Sequence, residues 1–255
     1  MSRIEQLFSN KHKNLLNIYC TAGYPRLDSI IPVMKALQQN GADMIEVGMP
    51  YSDPVADGPV IQQSNMVALG NGMSIPVLFD QLKGFRQNIH LPVILMGYLN
   101  PIMQYGIEDF CKQASSLGID GLIIPDLPIY EYEVQYKAIF KEYSLDFILL
   151  ITPETGEDRI REIDSQSSGF LYAVSSSSTT GGNNDINEQE TYFMKLRNMH
   201  LNNPILVGFG IKDRDSFLTA SRYTHGAIIG SAYIKALENA VDINKATSEF
   251  LHSII

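Results

Sequence analysis

A (β/α)8 barrel, the TIM-barrel architecture, is the fold this sequence predicts, and three observations carry that expectation. About eight short apolar runs recur along the 255 residues, each followed by a segment with helical spacing. Strand and helix in alternation imply parallel pairing, because parallel neighbours need crossover connections. After the first run the chain reads TAGYPRLD, with one glycine, so the Gly-rich fingerprint of an open dinucleotide-binding sheet is missing.

In chain order, the strand candidates are NLLNIYCT (14–21), DMIEVG (43–48), PVILMG (92–97), DGLIIPD (120–126), DFILLIT (146–152), GFLYAVS (169–175), PILVGFG (204–210) and GAIIGS (226–231). Helical spacing is plainest at 28–41, 107–118 and 132–143; Gly41 and Gly118 stand where helix C-caps are expected. An amphipathic N-terminal segment predicts an extra helix ahead of the barrel. No composition break or linker divides the chain, so 1–255 reads as a single domain. Two connections are long: the one after strand 2, which holds an extra helix, and SSSSTTGGNNDINEQE (175–190) after strand 6. The latter has the low complexity of a mobile lid.

Composition narrows the function. The formal charge is −9, from 19 Lys and Arg against 28 Asp and Glu. An acidic chain without a Lys/Arg run argues against nucleic acid or a membrane surface as partner. Cys20 and Cys111 lie far apart in apolar surroundings and read as unpaired core thiols of a reducing compartment. No apolar run reaches the roughly 20 residues of a membrane span. The polar N-terminus lacks the apolar centre of a signal peptide, and a cytoplasmic enzyme is the expectation.

Barrel active sites lie at the C-terminal ends of the strands. In DMIEVG, alternation turns Ile45 and Val47 outward and Met44, Glu46 and Gly48 into the lumen. Glu46 is then either a structural acid satisfied by local donors or, with a pKa raised by burial, a general acid or base. Asp53 and Asp57 follow in a Pro- and Gly-rich loop, as catalytic partners or as ordinary turn residues. Strands 6, 7 and 8 end in TTGG (179–182), GFG (208–210) and GS (230–231), small-residue clusters that suit a phosphate. The five histidines show no metal-ligand spacing, so no metal is expected. No lysine lies within the strand runs, which disfavours a Schiff base.

The run Glu46-Val-Gly-Met-Pro-Tyr-Ser-Asp-Pro-Val-Ala-Asp-Gly-Pro59, followed by Ile61-Gln62, resembles the signature of the tryptophan synthase α chain. Tyr19-Cys-Thr-Ala-Gly23, Asn100-Pro101, Pro125-Asp126-Leu127-Pro128, Gly208-Phe209-Gly210 and Gly230-Ser231 follow in the family's order. The resemblance implies retro-aldol cleavage of indole-3-glycerol phosphate to indole and glyceraldehyde 3-phosphate. It makes Glu46 the main acid/base and Asp57 the anion facing the indole N–H. Tyr19, Met96, Leu99 and Tyr172 become the indole slot, with Phe209 at the binding site. Thr180, Gly181, Gly210, Gly230 and Ser231 become the phosphate end.

It also implies no cofactor in this chain and a pyridoxal-phosphate β subunit as partner in an α2β2 heterotetramer, with Asp53, Pro54 and Pro128 at the contact. One departure stands out. The family's Ser-x-x-Gly-Val-Thr-Gly reads Ser175-Ser-Ser-Ser-Thr-Thr180-Gly181 here, which puts the strength of coupling to the partner in question. A stand-alone lyase, another phosphate-binding barrel and a lapsed binding subunit are the competing readings.

Overall fold

A computed structural model describes residues 1–174, 186–208 and 210–255, with backbone alone at 186–189. The strands are β1 (Leu15–Thr21), β2 (Met44–Gly48), β3 (Val93–Met96), β4 (Gly121–Ile123), β5 (Asp146–Phe147), β6 (Leu149–Ile151), β7 (Leu171–Val174), β8 (Ile205–Gly208) and β9 (Gly226–Ile229). Their order is β5-β4-β3-β2-β1-β9-β8-β7-β6, and every pairing is parallel.

The two ends of that order are one stretch of chain. The expected fifth strand, 146–152, is interrupted at Ile148: its first half pairs with β4 and its second half with β7. Ile148 N–H still donates to Leu122 O at 3.0 Å. Nine short strands therefore make an eight-membered ring, with the fifth member sharing its two edges between neighbours. The remaining strands are shorter than the apolar runs that announced them, because the run ends leave the ladder to form loops. These strands are buried on both faces, as helix-covered parallel strands must be, which is why they read as continuous apolar runs.

The expected helices appear at Ile30–Gln39 and Ile107–Leu117, and Gly41 and Gly118 both adopt positive φ just beyond them. The expected helix at 132–143 begins with a wider π turn over Tyr132–Tyr136 before the α-helix Lys137–Glu142. The N-terminal helix, Arg3–Asn10, starts in a capping box: Ser2 accepts from Glu5 N–H, and the Glu5 carboxylate accepts from Ser2 N–H. It buries Ile4 and Phe8 under the N-terminal ends of the strands, with Phe8 against Phe170 and His225. Arg3 reaches Asp120 there at 2.9 Å. One end of the barrel is thereby closed, and the other is left for a ligand.

Candidate active site

β2 carries Glu46 into the barrel. In the register Glu46 lies beside Tyr19 of β1 and Ile94 of β3. The side chain is wholly buried. Asn17 Nδ2 donates to its Oε1 at 2.6 Å, while Oε2 has no partner among the described residues. Burial pushes the Glu46 pKa up to about 8, against the opposing pull of the Asn17 amide. At neutral pH this acid is mostly protonated.

Asp57 sits in the loop after β2, one residue before Gly58, the N-cap of the helix Pro59–Gly70. Its Oδ2 accepts from the Tyr98 hydroxyl at 3.1 Å, and that hydroxyl accepts from Ala56 N–H at 3.0 Å. Burial raises its pKa to about 6, with the Tyr98 and Asn65 side chains opposing the rise. At pH 7 Asp57 is therefore mostly an anion, so the two carboxyls of one loop-and-strand unit differ in charge. Environment has separated them, which is how two like groups come to hold different proton-transfer roles.

Asp57 opens onto a cavity of about 530 Å³, lined also by Tyr19, Ile61, Met96 and Tyr172 and by Gly210, Lys212, Gly230, Ser231 and Lys235. Its shape depends on two lumen-facing glycines. A Cβ on Gly48 would stand 2.0 Å from the Tyr19 hydroxyl, and one on Gly208 would stand 2.2 Å from the Tyr172 hydroxyl. Each tyrosine thus fills a notch that only glycine leaves open. Thr21 Oγ1 lies 2.7 Å from Ser64 Oγ, tying β1 to the helix that follows Asp57. An aromatic, largely apolar slot that also presents a carboxylate, small residues and two lysines suits a planar ring joined to an anionic tail.

The family described as tryptophan synthase alpha chain matches residues 5–253. The chain belongs to that family. It is 50% identical over 247 residues to the tryptophan synthase alpha chain of Bacteroides thetaiotaomicron, spanning 96% of each chain. It is 52% identical over 241 residues to that of Flavobacterium johnsoniae, covering 94% of this chain and 95% of the other. Among solved structures, the tryptophan synthase subunit alpha of Legionella pneumophila superposes with a TM-score of 0.89 at 33% identity, over 100% of this chain and 97% of that one. The aminoacrylate-bound tryptophan synthase of M. tuberculosis gives 0.86 at 28% identity over 100% of both chains.

The residues expected at the site fall in different places. Asp57, Tyr19, Met96, Tyr172, Gly210, Gly230 and Ser231 line the cavity together. Glu46 is not in its wall but beneath it, with no exposed surface. Leu99 stands off the cavity wall at the start of the helix Leu99–Tyr105, half-buried, its N–H donating to Asp126 at 2.9 Å. Thr180, Gly181 and Phe209, with the expected lid at 175–185, lie outside the described residues. Of the contact candidates, Asp53 and Pro128 are exposed and Pro54 is buried within its own loop.

Sequence reasoning missed Tyr98, Asn65 and Asn17, the partners of the two acids. Tyr98 had a usable signal, lying two residues past Met96 at the active end of strand 3. It also passed over Lys212 and Lys235, which lie beyond the strand runs and line the cavity. Gly208 was read as part of an anion-binding run, yet its lumen face is taken by Tyr172.

Proposed function

We propose that Glu46 and Asp57 carry out the α-chain reaction in one barrel domain: retro-aldol cleavage of indole-3-glycerol phosphate to indole and glyceraldehyde 3-phosphate. The observation that supports this most is the placement of two buried acids at one cavity, Asp57 in its wall and Glu46 beneath it with no partner for Oε2 among the described residues; burial raises both, Glu46 further than Asp57. Neutral Glu46, which lies beneath the cavity and must meet the ring when substrate binds, protonates the indole C3, the carbon that must leave. Anionic Asp57 accepts the indole N–H and stabilises the positive charge that C3 protonation places on the ring. Glu46, now a carboxylate, takes the proton of the side-chain hydroxyl as the carbon–carbon bond breaks, and returns to its neutral form. Proton and electron counts close over the cycle without a cofactor in this chain.

Tyr19, Met96 and Tyr172 hold the ring, with Phe209 and Leu99 as further candidates around it. Gly210, Gly230 and Ser231 receive the phosphate, helped by the positive charge of Lys212 and Lys235, with Thr180 and Gly181 as further phosphate candidates. Binding energy from the unreacting phosphate then goes into positioning. The indole passes to a pyridoxal-phosphate β subunit within an α2β2 heterotetramer for tryptophan biosynthesis. Asp53 and Pro128 present the exposed contact, and Pro54 shapes the loop that carries Asp53. No helix among the described residues is long and apolar enough to cross a membrane, and a cytoplasmic setting fits that.

An indole-release assay with and without added β subunit tests this reading. Wild-type chain should cleave substrate faster once the β subunit is added, while Glu46→Gln should bind substrate and release almost no indole. Full activity in Glu46→Gln would remove the acid/base assignment. A rate unchanged by the β subunit would favour a stand-alone lyase.

A further inference from the structure

Asn17 is a polar residue in a place that packing alone would give to an apolar one. It lies in the middle of β1 between Leu16 and Ile18, all three without exposed surface. Burying a carboxamide there is costly unless it is bonded. Its one side-chain hydrogen bond among the described residues goes to Glu46 Oε1, and its own Oδ1 is left without a donor. In the register Asn17 pairs with Met44, so the amide reaches diagonally past its own neighbour to the acid one step further along the barrel.

We infer that Asn17 is a positioning residue for Glu46: its amide claims Oε1 and leaves Oε2 as the oxygen that gives and takes the proton. The inference deepens the acid/base reading of Glu46 and rests on it. A proton on Oε1 would compete with the Asn17 N–H, so the neutral acid carries its proton on Oε2. When that proton passes to the indole C3, the charge left behind is shared with Oε1, where the amide already points. The bond becomes charge-assisted at the moment the carboxylate forms and costs no reorganisation. When Oε2 then takes the hydroxyl proton, the bond relaxes to its neutral strength. Asn17 thus lowers the barrier to giving up the proton and keeps the carboxyl from rotating between its two oxygens.

The titratable groups around Glu46 do not replace this bond. Tyr19 of β1 and Tyr172 of β7 stand on its face, Cys20 lies behind on the other face of β1, and burial raises all three, Cys20 to about 12, so they stay neutral across the working range. Asp57, raised to about 6, shares Tyr19 and Tyr172 as neighbours with Glu46, and its charge is the same in wild type and in a variant at Asn17. From β3 the register neighbour is the apolar Ile94.

The test compares Asn17→Leu, which keeps the volume and removes the donor, with wild type. In the complex with β subunit, the high-pH limb of the kcat profile should move up by about one unit, as expected for losing a hydrogen bond to a charged group. At pH 7 kcat should fall about tenfold with KM within about twofold. The Glu46 carboxyl, followed by carbon NMR in the full chain, should titrate higher by the same amount. In wild-type chain the Asn17 side-chain amide signals should shift with the Glu46 midpoint and stay flat in Glu46→Gln. That measurement decides the matter even if Asn17→Leu fails to fold. A limb that stays in place, or amide signals that ignore the Glu46 titration, would overturn the inference while leaving the acid/base role intact. An active Glu46→Gln would remove the role itself.

Discussion

Asp120 and Glu46 are buried acids of the same barrel, set at opposite ends of it, and their surroundings differ in kind. Asp120, just before β4, receives Arg3 at 2.9 Å, Val93 N–H at 2.8 Å and the Arg86 guanidinium. Arg86 is itself anchored on Gly118 and Leu91 carbonyls, at 2.9 and 2.6 Å. Asp164, under β7 and β8, is held in the same way by the backbone and side chains of Asn202 and Asn203. Among the described residues Glu46 has one amide partner and an oxygen with none. Paired acids at the closed end tie loops and helices together. The under-paired acid at the open end retains a proton, and the stability lost by burying it is what makes it reactive.

The sharpest way to break this comparison is at Asp57, the acid kept as an anion. Asp57→Asn should lower the cleavage rate on the order of 10²–10⁴-fold with stability little changed, measured by indole release and thermal unfolding. A wild-type rate would make Asp57 a turn residue. Arg86→Met should do the reverse at the closed end. It strands part of the charge on Asp120 and should cost about 3 kcal/mol of stability, read by denaturant unfolding, with kcat per folded molecule retained.

Glu46 itself gives a stability test of opposite sign. Its pKa is raised on folding, from 4.5 to about 8. Below 4.5 both states are protonated and nothing is lost. Between those values folding must retain a proton that the unfolded chain releases, so stability falls as pH rises, and the loss is complete above 8. Glu46→Gln escapes that loss. Its advantage over wild type should grow from pH 4.5 to 8 and reach up to about 4 kcal/mol, followed as Tm against pH. An advantage that shrinks with pH would mean Glu46 is paired. The smallest effect is expected at Tyr98→Phe. Losing one hydroxyl donor to Asp57 should move the low-pH limb of the activity profile upward and cost about tenfold in rate.

The sequence carried most of the fold because the barrel strands are two-sided apolar runs, which periodicity finds readily. It missed the break at Ile148, since the run Phe147–Ile151 around it is apolar throughout and only the sharing of neighbours divides it. Glu46 was legible because alternation is strict within a strand. Its ionisation partner was not: Asn17 and Glu46 are 29 residues apart, and only the register of β1 on β2 brings them together. Tyr98 reaches Asp57 across 41 residues for the same reason.

The notch at Gly48 that admits the Tyr19 hydroxyl has a consequence for how this pocket changes over time. The two positions are interlocked, so a methyl added at Gly48 evicts the ring, while a smaller residue at position 19 leaves a void with nothing to refill it. Neither change is readily accepted first. A lineage altering the ring slot here must cross a fitness valley or change both residues together, with the cost of the pair far from the sum of its parts. The same interlock binds Gly208 to Tyr172. Ligand shape in this barrel is written in backbone as much as in side chains.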